Sequence, residues 1–423
     1  MNSTHPVSRS REAVRRTLGD FVRWVDRFGE FSRDHQTFYA GSLGGAAKRL
    51  YYERPVLGLP AVAPLIACEA LFPSARRWFH HDTRFPIADA HYAMGFAFLH
   101  EATGEAADLN QAIHFLRELE RSRCVGFEEY CWGYPFDWVT RNGTIKAQTP
   151  LITTTPYVWE AFKQVFELDP RDEWRGVLRS IVRHTRTDIK DFTTSERASA
   201  CSYSPFDSGG VVNAAAYRAF LLTSAAAFLG EDEHWKVAER NLAFVLENQK
   251  RDGSWPYAVD GVRDFVDHFH TCFVMKALAK IHALTAHEGC MNALSRGLKY
   301  YLTHLFDEDG LPRPFARAPR LTVYRRELYD CAECINLCLL LRDRFPECGS
   351  TVETVVAGVL KDWVKADGSF RSRKLLWGWD EVPMHRWGQS QMFRSLAFYL
   401  REMDRARSRT AETSSTTTVG TLK

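Results

Sequence analysis

The sequence predicts an all-α protein folded as an (α/α)6 toroid, a closed double ring of six antiparallel helix pairs. A loop-to-helix junction recurs about every sixty residues, apolar residues at helical spacing fill the segments on both sides of each junction, and strand signals are sparse. With His91, Thr155, Asn213, His270, Glu333 and Gln389 as markers, the junctions follow one another at steps of 64, 58, 57, 63 and 56 residues. The period is longer than the roughly 34 to 47 residues of helical solenoid repeats, which favours a ring over an open stack.

Residues 1–55 read as an N-terminal helical segment packed on the ring, and 56–404 as the toroid itself. The apolar stretch from Val56 to Phe72 is broken by Pro60, Pro64 and Glu69, which argues against a membrane span. The first junction, Asp89 to Met94, opens an inner helix rich in small residues (Ala93, Gly95, Ala97), and Leu109, Ile113 and Leu116 mark its outer partner. The second, Thr153 to Val158, offers Thr as N-cap and puts Pro156 in a first turn, where a missing N–H is tolerated. Gly209 to Ala214 is the third, followed by an outer stripe of Trp235, Ala238, Leu242 and Val245. The fourth, Asp267-His268-Phe269-His270-Thr271-Cys272, runs into Phe273, Ala277 and Ile281, with Leu294, Leu298 and Leu302 behind. The fifth, Asp330 to Ile335, is backed by Val355, Val359 and Trp363; the sixth, His385 to Ser390, leads to Met392, Leu396 and Leu400. From Arg405 the chain is Ser/Thr-rich without apolar periodicity, so 405–423 reads as a disordered tail. In such a ring all inner helices start at one end. The loops before them build one funnel, into which the helix N-termini aim their positive dipole ends.

Composition narrows the function. With 55 basic against 52 acidic residues and a net charge of +3, nothing suggests a nucleic-acid footprint. The first sixteen residues are polar and Arg-rich without an apolar core, unlike a secretory signal, and the ten cysteines are scattered through apolar patterns like reduced, buried thiols. A cytoplasmic protein is expected. Aromatics reach 13%, and many fall in the junction loops, where they suit either a sugar-binding concavity or a helical core.

The run Gln249-Lys250-Arg251-Asp252-Gly253-Ser254-Trp255 resembles the Q-x-x-D-G-S-W repeats of squalene-hopene cyclases and protein prenyltransferase β-subunits. Asp267 to Phe273 is similar to a prenyltransferase β-subunit stretch whose His is a zinc ligand, which would make His270 that ligand. The family's Asp-x-Cys pair is missing, since the preceding repeat reads Phe206-Asp207-Ser208-Gly209-Gly210, and the cyclases' Asp-x-Asp-Asp motif is missing too. A broader resemblance is to helical-toroid proteins of bacterial exopolysaccharide and capsule clusters. It rests on Trp132-Gly133-Tyr134-Pro135-Phe136-Asp137-Trp138, Thr149-Pro150-Leu151, Asp267 to Phe273, and Met384-His385-Arg386-Trp387. Toroids acting on carbohydrate, such as unsaturated-glucuronyl hydrolases and cellobiose 2-epimerases, supply the functional analogy.

Candidate catalytic groups are Asp137, Asp207, Asp267 and His270. Asp137 and Asp207 both follow Pro-Phe in neighbouring repeats and could face each other as a glycosidase pair; the alternative is that each ties down its own loop. His270 and His91 hold equivalent register in repeats one and four, opposite each other, as a proton-moving pair would. Trp132, Tyr134, Trp138, Trp255 and Trp387 are candidate sugar platforms, and His91, Asp264, Asp330, Glu333, His385 and Arg386 candidate polar contacts. A zinc site from Asp330, Cys331, Cys334 and His270 is conceivable. Cys331, Cys334 and Cys338 recur at core-like helical spacing, however, so no metal or other cofactor is expected. The expected function is a glycan-acting hydrolase, lyase or epimerase of bacterial surface polysaccharide, with an oligosaccharide or polysaccharide substrate and polysaccharide-assembly enzymes as partners. The alternatives are a terpenoid cyclase or prenyl-transfer enzyme, and a non-catalytic glycan-binding scaffold.

Overall fold

The computed structural model describes residues 6–319 and 321–419, with side chains from 10 to 408 apart from 320. After α1 (Pro6–Phe28) come α2 (Thr37–Ala40), α3 (Ser42–Glu53) and α4 (Pro55–Leu71). The hairpins follow: α5 (Pro86–Thr103) with α6 (Ala106–Arg121), α7 (Thr155–Leu168) with α8 (Asp172–Thr187), and α9 (Val212–Leu229) with α10 (Trp235–Glu247). Then come α11 (His268–Thr285) with α12 (Glu288–His304), α13 (Leu328–Leu341) with α14 (Pro346–Asp362), and α15 (Ser390–Val419). Helices α5, α7, α9, α11, α13 and α15 each pack on the next, and α15 returns to α5. The inner ring is closed.

The inner helices are apolar on all sides because each is covered by two neighbours and an outer partner. In α9 every residue from Val212 to Ala226 is buried. This helix is long and apolar enough to cross a membrane, yet 83% of it is buried inside the ring. Outer helices carry a stripe instead, as in α8 with Trp174, Val177, Leu178, Ile181 and Val182 turned inward. Helices α5 and α9 stop at Gly104 and Gly230, left-handed C-caps with φ of 74° and 71°.

The Asp-Gly turns explain how the outer ring advances. Gly253 (φ +96°), after α10, lies so close to the Arg296 carbonyl of α12 that a Cβ would overlap it. Gly368, after α14, stands in the same way against the Asp20 carbonyl of α1, and Gly310, after α12, lies close to the Thr354 side-chain methyl of α14. The Asp caps each turn: Asp252 accepts from Ser254 N–H at 2.9 Å and Asp367 from Ser369 N–H at 2.9 Å. Helix α1 therefore occupies the place of the next outer helix and packs on α15. The first helix of the 1–55 segment packs on the ring as the outer partner of α15, from the other end of the chain. At the C-terminus α15 runs on to Val419, so the 405–423 tail, read as disordered, begins as helix; residues 420–423 lie outside the described residues.

The loops before the inner helices carry short antiparallel ribbons. These are β1 (Trp138–Thr140) with β2 (Gly143–Ile145), β3 (Asp191–Thr193) with β4 (Ser199–Cys201), and β5 (Val266–Asp267) with β6 (Phe315–Arg317). A three-stranded sheet joins β7 (Tyr324–Glu327), β8 (Arg373–Leu375) and β9 (Trp379–Asp380). Residues 29–85, between α1 and α5, form a cap on these loops, its two ends joined by the bridge of Ser32 to Thr83. Helices α2 and α3 lie on β1, and buried ion pairs pin the cap: Arg76 to Asp380 at 2.7 Å, Asp34 to Arg386 at 2.5 Å and Glu69 to Arg373 at 2.7 Å.

Candidate active site

Aromatic side chains from several loops gather around His270 at the end of the ring where the inner helices begin. Asp267 ends β5 and caps α11. One carboxylate oxygen accepts the His270 backbone N–H at 3.0 Å, and the other meets His270 Nδ1 at 2.6 Å. A single buried carboxylate thus fixes both the helix start and the imidazole. The Asp267 side chain is 2% exposed and that of His270 20%, so the carboxylate is shielded while the imidazole stays partly exposed. A carboxylate on Nδ1–H leaves Nε2, the other ring nitrogen, to take or give a proton.

Tyr257 meets the His270 ring edge-on at 4.6 Å and stacks on Phe265 at 4.7 Å. Burial pushes the Tyr257 phenol up, with Tyr134 adding to the shift, so its proton stays on at ordinary pH. Trp138 sits 6.2 Å from Tyr203 and 5.4 Å from Tyr134 between ring centroids, and the Thr153 hydroxyl donates to Tyr203 at 3.1 Å. Tyr134, Trp138, Tyr203, Tyr257 and His270 all remain partly exposed. On the far side Trp387 stacks on Tyr329 at 4.7 Å, and the Arg386 guanidinium lies 4.5 Å from the Tyr134 ring, held by Asp34. The cap reaches this edge, where His35 packs on Trp387 at 4.8 Å.

Other expected site residues take different places. Trp132 and Trp255 are buried, and their indole N–H groups donate to Leu119 O at 2.8 Å and Val245 O at 3.0 Å, near the C-terminal ends of α6 and α10. They lock loops to outer helices and are not platforms. Asp137 is bound to Lys146 at 2.8 Å and to the Ala147 N–H at 3.0 Å, which hold its carboxyl below the usual range. Asp207 accepts from the backbone of Tyr203, Ser204 and Gly209 and from the Ser204 hydroxyl. Both acids tie loops, and Asp137 has no raised pKa of the kind a leaving-group acid needs. Asp264 pairs with Arg317 at 2.6 Å, with both side chains well exposed.

His91 does not mirror His270. Helix α5 starts at Pro86 and α11 at His268, so His91 lies a turn deeper, fully buried against Tyr157 with neither ring nitrogen hydrogen-bonded. Burial and the Arg394, Lys276 and Lys280 charges hold its pKa well below the ordinary value. His385 is a core residue bonded to Tyr92 OH at 2.6 Å and Gly29 O at 3.0 Å. Glu333 pairs with Lys276 beneath the funnel, and burial pulls that lysine down to about 8. Asp330 faces the neutral His268 at 3.7 Å, and burial beside Glu327 and Asp267 raises its pKa well above the carboxylate range. Among the described residues, the one cluster whose ligand atoms lie within 4.8 Å of one another is Glu231, Glu233 and His234, where α10 begins. Asp330, Cys331, Cys334 and His270 are not gathered.

No family model matches the chain, and no curated protein matches it. Solved structures do. Cellobiose 2-epimerase from Bacillus thermoamylovorans superposes with a TM-score of 0.61 at 10% identity, covering 77% of this chain and 90% of that one. Glycosyl hydrolase family 88 from Bacteroides vulgatus gives 0.52 at 11%, covering 76% and 91%. The GH76 α-mannanase of Bacteroides thetaiotaomicron gives 0.54 at 9%, covering 76% and 87%. The fold is an (α/α)6 toroid. Tyr203 and Tyr257 escaped sequence reasoning, although each adjoins a junction cue: Tyr257 lies two residues after Trp255, and Tyr203 stands just before the Ser204-Pro205-Phe206-Asp207 run.

Proposed function

We propose that this protein is a carbohydrate-active enzyme that moves protons on and off a sugar, with His270 as base and Asp267 holding it. The observation that carries the reading is the 2.6 Å Asp267–His270 contact beside a partly exposed aromatic surface. The imidazole would take a proton from a carbon next to a carbonyl, and the buried carboxylate would stabilise the imidazolium that forms. Tyr257, in edge contact with the same ring and kept protonated by burial, is offered as a hydroxyl donor to a sugar oxygen, and the imidazolium of His270 returns the proton. Tyr134, Trp138 and Tyr203 offer faces and hydroxyls for sugar rings. The likeness to a cellobiose 2-epimerase, a D-mannose isomerase and glycosyl hydrolases supports a sugar substrate.

Epimerisation or isomerisation is favoured over hydrolysis, because Asp137 and Asp207 are engaged by their own loops. A surface-polysaccharide sugar is the substrate class we favour, following the resemblance of the Trp132–Trp138 and Met384–Trp387 runs. The test is incubation of the purified chain with reducing disaccharides and uronate-bearing oligosaccharides, with epimers, new reducing ends and unsaturated ends resolved by chromatography. Epimer formation lost in His270→Ala supports the reading. Turnover that persists in His270→Ala contradicts it.

A further inference from the structure

Helix α4 is apolar and uncovered. Its seventeen residues hold one charged side chain, Glu69, and Gly58 and Val62 alone are buried. Gly58 lets α4 press against Tyr51 of α3, where a Cβ would overlap backbone. Leu65, Cys68, Glu69 and Ala70 are partly covered, and the N-terminal half projects outward, with Val56 86%, Leu57 61% and Leu59 53% exposed. The apolar surface continues onto Leu43 of α3 and onto Phe72 and Trp78 after α4, at 85%, 65% and 73%. Patches of this kind on a folded protein mark a partner or a membrane.

We propose that the α3–α4 hairpin docks the protein on the surface of an anionic lipid bilayer. The surface is convex and apolar around most of α4, which suits a fluid medium better than a protein groove that takes one face of a helix. Arg54 stands exposed at one end of α4 and Arg77 at the other, opposed by Glu53, with Arg77 4.9 Å from the Trp78 ring. Arginine and tryptophan flanking an apolar helix match the headgroup layer. The helix lies along the surface and does not span it. The Glu69–Arg373 and Arg76–Asp380 pairs bind its C-terminal side to the funnel loops, and Pro60 and Pro64 each remove an internal backbone donor. Docking there would bring the cap and the funnel rim to the membrane.

The test is co-sedimentation of the full chain with phosphatidylcholine vesicles, with and without phosphatidylglycerol as about a quarter of the lipid. The docking predicts binding to the anionic vesicles, lost in Leu57→Glu/Leu59→Glu/Ile66→Glu and weakened by about fivefold for each of Arg54→Glu and Arg77→Glu. Because these side chains are exposed, the thermal melt of each variant should match the parent. Light scattering separates the rival occupant. A dimer abolished by the triple Glu variant, without vesicle binding, would show that a second copy covers α4. Failure of the parent to bind either vesicle would equally overturn the proposal.

Discussion

At the scale of single residues, the site depends on one carboxylate serving two bonds. Asp267→Asn keeps the helix cap but can present its amide nitrogen to His270, so it should cut turnover by about 100-fold with little change in melting temperature. Asp207→Ala should do the reverse, costing about 1–2 kcal/mol of stability through lost loop bonds and leaving turnover intact in the folded fraction. His385 offers a pH test. Burial holds it down to about 4, neutral between Tyr92 and Gly29, against 6.5 for the ordinary group. Between those values the unfolded chain binds more protons than the folded one, so this residue's contribution is whole above pH 6.5 and lost as the pH falls toward 4. The stability gap between the parent and His385→Gln should therefore narrow across that window, by up to about 3 kcal/mol, in urea titrations at several pH values. An unchanged gap would count against a buried neutral imidazole.

The same scale shows what sequence alone conveys. Asp267 and His270 were each legible as candidates because they stand at a helix start, but their bond was not: the register offered His91 as the partner of His270. The Asp34–Arg386 pair joins residues 352 positions apart, and no local pattern reports it. Trp132 and Trp255 stand in aromatic loops like platforms, but their ring N–H groups reach carbonyls of the preceding helices, a choice set by packing and invisible to spacing.

At the scale of elements, the Asp-Gly turn is the coupling between successive outer helices. Gly253→Ala places a side chain at φ +96° against the Arg296 carbonyl, and Gly368→Ala places one against Asp20. Each should cost about 1–3 kcal/mol in chemical denaturation, more than an exposed Gly143→Ala, where nothing lies within 4 Å. Equal losses at all three would mean that φ alone matters and that the turns do not dock. Six junctions were readable because each inner helix restarts the same loop-to-helix pattern. The sixth outer helix was not. Its stripe of Val14, Leu18, Phe21 and Val25 looks like any amphipathic segment, and the 29–85 cap separates it from the ring sequence it completes.

At the scale of the whole molecule, the closed ring gathers loops from distant parts of the chain at one end, and the cap rests on them through buried ion pairs. That arrangement explains why chemistry-bearing residues fall at the junctions, and why a polar plug such as Lys276–Glu333 can sit beneath the funnel. The central claim is that His270, held by Asp267, exchanges a proton with a sugar carbon. The most direct measurement is deuterium incorporation from heavy water into that carbon, read by mass spectrometry on whichever disaccharide the chain turns over. The parent and an Asp137→Asn/Asp207→Asn variant should both incorporate label, and His270→Ala should not. Label that persists without His270, or turnover that proceeds with no label at all, would contradict it.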